Sequence, residues 1–124
     1  MYFHSIAASI FRRIPKFWGL ERVVAKIWPV SSFSEEKSYA IRLQNVFVRI
    51  WPSSHIGWQL YFFGDYEPST RRIMCQYIVD GSVSVEIGTN IGWHTLLMSK
   101  LAGEKGQVIA FEPSPEIFKK YVVI

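Results

Sequence analysis

Val83-Ser84-Val85-Glu86-Ile87-Gly88-Thr89-Asn90-Ile91-Gly92-Trp93-His94 decides the fold. Its first five residues alternate β-branched with polar side chains, the period of a strand with two unlike faces. Gly88 lets the backbone turn sharply, and Gly92 brings a helix start close to a neighbour without a Cβ in the way. The apolar spacing predicts a helix over residues 91–102, stopped by Gly103, and a second strand over 107–111. Ser114 then stands as N-cap with Pro115 at the first helical position, so another helix begins there and runs to residue 124. Strand, helix, strand in this order makes a β-α-β unit and predicts an open α/β sheet, which binds ligands at the carboxyl ends of its strands.

Upstream, Ile73, Met74, Tyr77 and Ile78 repeat with a helical period across residues 69–79, and Asp80-Gly81 ends the run. Residues 39–44, 46–51 and 58–63 are rich in aromatic and β-branched side chains, broken at Asn45 and at Pro52-Ser53-Ser54. They read as three strands of an antiparallel meander. Residues 2–14 and 19–28 read as two short helices parted near Pro15 and Gly19, and the serine-rich stretch after Pro29 as a loop. The chain thus divides into a basic helical segment over 1–30, an antiparallel β lead-in over 31–66, and the start of a cofactor-binding α/β domain over 67–124.

The chain has 124 residues, 49% hydrophobic and 19% charged, a globular composition that excludes disorder, coiled coil and collagen-like repeats. Residues 1–30 carry Arg12, Arg13, Lys16, Arg22 and Lys26 against Glu21, so the net charge of +4 lies there and the rest balances. Nucleic-acid binding would want basic residues along one groove with stacking aromatics, and this distribution speaks against it. A basic amphipathic segment over 1–28 suits weak contact with an anionic membrane surface. No apolar run reaches membrane-spanning length. The basic residues come after the apolar stretch from Ile6 to Phe11 instead of preceding it, unlike a secretory signal, so the chain reads as cytoplasmic, with peripheral membrane contact as its variant. Cys75 is the only cysteine and His4, His55 and His94 are scattered, a pattern without metal-ligand spacing.

A dinucleotide fingerprint would place glycines at 88, 90 and 93, where the chain has Gly88, Asn90 and Trp93. Two of three are missing, and the bulky side chains oppose a pyrophosphate pressed onto the turn. Glu86 favours an amine-bearing ligand over a polyanion. Glu112, directly after the second strand, is placed to accept hydrogen bonds from both hydroxyls of a ribose, with Pro113 biasing it to an extended conformation. An adenosine joined to an amino acid satisfies these features, and S-adenosylmethionine is such a molecule.

The run from Glu86 to Leu97, followed by Gly106-Gln107-Val108-Ile109-Ala110-Phe111-Glu112-Pro113-Ser114-Pro115-Glu116, resembles the first two motifs of the FkbM family of S-adenosylmethionine-dependent methyltransferases. Gly64-Asp65-Tyr66-Glu67-Pro68 and the strands before it are similar to that family's lead-in. The resemblance covers residues 64–120 in detail. It implies a Rossmann-like class I methyltransferase fold with only its first β-α-β unit present. It also implies that Gly88, Asn90 and Gly92 line the methionine end of the cofactor, with Thr89 in the same turn where an alanine is more usual. Glu86 would hold the amino group, directly or through water, and Glu112 the ribose. His94 and Trp93 stand where the family has aromatic residues; His94 reads as a helix-packing residue, with catalytic base as its rival role.

Methyl transfer needs an acceptor in line with the methyl group and a base for its proton. The sequence offers no convincing base, and the 13 residues after Phe111 are too few to add the strands that flank β-α-β units in a doubly wound sheet. The chain alone is therefore expected to be inactive, marginally stable and aggregation-prone, and the complete enzyme to O-methylate a hydroxyl of a sugar or small metabolite. Two rivals stand beside this reading: a fragment of an NAD-dependent oxidoreductase, and a non-enzymatic product acting through residues 1–28 on a membrane surface or partner.

Overall fold

The computed structural model describes residues 3–43 and 45–121. Tyr2, Gln44 and residues 122–124, assigned from sequence to helix, strand and helix, lie outside them. The chain is mixed α/β with two small sheets and divides into two compact units, one through Tyr66 and one from Glu67 on. Among the described residues, no helix is long and apolar enough to cross a membrane.

The first unit holds helices α1 (Phe3–Phe11) and α2 (Leu20–Ile27), a 3-10 turn (Val30–Ser32), strands β1 (Tyr39–Leu43) and β2 (Val46–Ile50), and helix α3 (His55–Phe63). β1 and β2 pair antiparallel with Leu43 opposite Val46, and Asn45 takes the left-handed conformation their tight connection requires. Alternation places Ile41, Leu43 and Ile50 in the core.

Residues 58–63 are not the third strand of a meander; they belong to α3, which its neighbours surround. All residues from Gly57 to Phe63 are buried. The Ser54 side chain accepts the Gly57 amide at 3.1 Å at one end, and Gly64, left-handed at φ 68°, closes the other by donating to Leu60 O at 2.9 Å. A helix buried all round loses the apolar period that marks a half-exposed one, and its aromatic run then resembles a buried strand. Around it, the Trp58 indole donates to Trp28 O at 2.7 Å, Arg12 to Tyr61 O and Gln59 to Glu21. These bonds fasten α1 and α2 to α3.

The second unit holds α4 (Pro68–Tyr77), β3 (Val83–Ile87), α5 (Trp93–Ala102), β4 (Gln107–Phe111) and α6 (Pro115–Tyr121). β3 and β4 are parallel, Val83 opposite Gln107 and Ile87 opposite Phe111. α5 turns Trp93, Leu97, Met98 and Ala102 inward, four residues on one helical face that covers one side of the strand pair. The return from α5 to β4 is tied to the start of β3: Gly81 N donates to Ala102 O at 2.8 Å and Gln107 N to Ser82 O at 3.0 Å. A Cβ on Gly106 would lie 2.4 Å from that of Ala102, so this close approach requires glycine. The strands therefore end level, with Ile87 beside Phe111, and the turn after β3 and the segment after β4 share one edge.

Candidate functional site

At that edge the turn after β3 is bound to the end of β4. Gly88 N and Thr89 N both donate to Phe111 O, at 2.8 and 3.2 Å. Gly88, Asn90 and Gly92 lie in the left-handed region, at φ 82°, 49° and 74°. At Gly88 a Cβ would meet nothing within 4 Å, so its glycine serves the backbone conformation and leaves the space beside it open.

Glu112 is fixed by this turn. Its Oε2 accepts the Asn90 amide at 2.7 Å and its Oε1 the Ser114 amide at 2.8 Å. Each oxygen keeps a further lone pair for a ligand. Glu86, the last residue but one of β3, accepts from the Thr95 hydroxyl on the first turn of α5. The structure thus gathers Glu86, Gly88, Thr89, Asn90, Gly92 and Glu112 around the carboxyl ends of β3 and β4, where their sequence positions imply they would be.

The backbone amides of the turn are engaged within the chain. Gly88, Thr89, Asn90 and Gly92 have already given theirs to Phe111 O, Glu112 and Thr89 O. These four bonds hold the turn after β3 together.

His94 stands beside Glu67, with Nε2 4.0 Å from Glu67 Oε2, and joins the start of α5 to the residue before α4. Glu67, itself left-handed at φ 49°, also accepts from the Thr70 hydroxyl at 3.2 Å. Sequence reasoning missed Thr95 and the amides of Asn90 and Ser114 as the groups that orient the two acids. Among the described residues, no group of three His, Cys, Asp or Glu side chains could hold a metal ion.

Compared with known proteins, the chain is 44% identical over 52 residues to a protein-L-isoaspartate O-methyltransferase of Methanocella arvoryzae, covering 40% of this chain and 28% of that protein. It is 39% identical over 49 residues to one of Methanococcus maripaludis, covering 38% and 23%. The likeness is to proteins of the methyltransferase kind. The chain spans about a quarter of the length of the curated relatives it matches. No protein-family model matches it, and no solved structure does.

Proposed function

We propose that this chain carries the cofactor-binding part of an S-adenosylmethionine-dependent methyltransferase of the FkbM kind, with a Rossmann-like domain beginning at Glu67. The observation that carries the reading is the Glu112 carboxylate, pinned by two amides at the end of β4. A diol reads a fixed carboxylate in two-point fashion.

The residues present fit this cofactor. Glu112 would accept from the ribose hydroxyls through its remaining lone pairs. Glu86, oriented by Thr95, would set a negative charge toward the amino group, and the open space beside Gly88 admits the chain between them. When bound, the cofactor supplies an electrophilic methyl group. The protein's part is to hold both ends so that the methyl faces an acceptor, which fixes orientation before any reaction.

O-methyl transfer is common to the names of the relatives and to the FkbM resemblance, and a hydroxyl of a sugar or small metabolite is the acceptor we assign. In this reading the chain supplies the cofactor contacts. Calorimetric titration of the 124-residue chain with S-adenosylhomocysteine tests the site. Glu112→Ala removes hydrogen bonds to a charged group, each worth about 1.5–3 kcal/mol, so affinity should fall roughly tenfold to a hundredfold. Unchanged affinity in that variant, or binding of NADH in place of S-adenosylhomocysteine, would refute the assignment.

A further inference from the structure

The first unit carries a surface that the cofactor site does not use. Phe3, Ile6 and Ile10 are exposed on α1 at spacings of three and four, one continuous stripe along the helix. The opposite side of α1 is committed to α3: Ala8 is fully buried, and the Ser5 hydroxyl lies 3.0 Å from the Tyr61 hydroxyl. The stripe therefore points away from α3. Just beyond α1, Phe17 and Trp18 are exposed as well, Trp18 at 92%.

Charge says what covers this surface. No carboxylate precedes Glu21 in the chain, and Glu21 itself is engaged by Gln59. Arg13 after α1 and Arg22 and Lys26 on α2 are exposed, and the Arg22 guanidinium lies 5.6 Å from the centre of the Trp18 ring. The remainder of the chain balances to zero. An apolar stripe alone would suit a second copy of the chain equally well, but two such copies would bring their cationic regions together. A tryptophan capped by a guanidinium, next to aliphatic side chains and flanking basic residues, matches the layered chemistry of a bilayer surface, with acyl chains below and anionic headgroups above.

We infer that the first unit docks onto anionic lipid bilayers, α1 lying in the interface with Phe3, Ile6 and Ile10 among the upper acyl chains and Arg13, Arg22 and Lys26 among the headgroups. The inference does not depend on the methyltransferase reading.

Flotation of the 124-residue chain with phosphatidylcholine vesicles containing phosphatidylglycerol tests it, because aggregated protein sinks while bound protein rises. Binding should exceed that to pure phosphatidylcholine roughly tenfold and weaken as salt screens the charges. Ile6→Ser with Ile10→Ser should abolish flotation while the far-ultraviolet circular dichroism stays that of the parent. Arg13→Ser with Arg22→Ser should lower it on anionic vesicles only. Equal flotation on neutral vesicles, no flotation on either, or unchanged flotation of the isoleucine variant overturns the inference. If the isoleucine variant changes self-association and the parent does not float, the stripe is a contact between copies.

Discussion

Glu86 lies one residue before the end of β3 and Glu112 one residue after the end of β4, and that offset of two positions decides what holds them. Glu86 lies inside β3 and reaches a side-chain hydroxyl on α5; Glu112 lies past β4 and meets two backbone amides. The acids and the glycines were legible in the sequence because their types and spacing are local. Their orientation was not, because it depends on Asn90 adopting φ 49° and on Phe111 O collecting two amides across the sheet. His4 shows the same dependence. It lies 3.0 Å from the Tyr61 hydroxyl and edge-on to Phe33. Burial, and then the positive charge of Lys37, hold its pKa below the usual histidine value of 6.5. The folded first unit thus prefers neutral His4, whereas the unfolded chain takes up a proton as pH falls through about 6.5. His4's contribution is complete above that pH and is lost as pH falls through the lowered folded value. Urea midpoints measured from about pH 7.5 down to about pH 5 should therefore decline less steeply in His4→Phe than in the parent. Parallel declines would show that His4 titrates normally.

Among elements, β3 and β4 were readable because alternation and bounding glycines survive in any context, and the structure places them at the expected residues. α3 was not, since seven consecutive buried positions erase the helical period and leave only aromatic content, which favours a strand. What distinguishes the two is at the ends. Ser54, three residues before Gly57, is an N-cap, and Gly64 is a left-handed stop. Gly57 carries a sharper consequence. Inside an ordinary helix, Gly→Ala stabilises by about 1 kcal/mol. Here a Cβ would lie 2.0 Å from the Trp51 carbonyl oxygen and 2.8 Å from Ser54 Oγ, one backbone and one capping atom, neither able to swing aside. The sign should reverse: Gly57→Ala is expected to destabilise the first unit by about 2 kcal/mol or more. Urea unfolding followed by tryptophan fluorescence reports it through buried Trp58. A variant as stable as the parent would mean that α3 does not approach the Trp51 carbonyl as described.

Across the whole molecule, apolar surface is distributed unequally between the two faces of the β3–β4 pair. α5 covers the face bearing Ser84 and Glu86, the more polar side of β3, while Val83, Val85 and Ile87 lie exposed on the other, Ile87 at 83%. Register sets Val85 beside Ile109 and Ile87 beside Phe111, both also exposed, so the five side chains form one patch. Parallel strands are ordinarily covered on both faces, and fully burying a side chain of this size is worth about 1.5–3 kcal/mol. Such a patch favours association with any apolar surface, another chain's patch included, and the unpaired strand edges add backbone donors and acceptors to the contact. The chain should therefore self-associate with rising concentration, which sedimentation velocity would record as a shift to larger species. Val83→Thr with Val85→Thr keeps β-branched residues in the strand while making the patch polar, and it touches neither acid of the cofactor site. That variant should remain monomeric at concentrations where the parent associates, and should bind S-adenosylhomocysteine as the parent does. A parent that stays monomeric throughout would refute the prediction, whereas a variant that associates equally would place the adhesive surface elsewhere, and loss of that association in Ile6→Ser with Ile10→Ser would assign it to the α1 stripe.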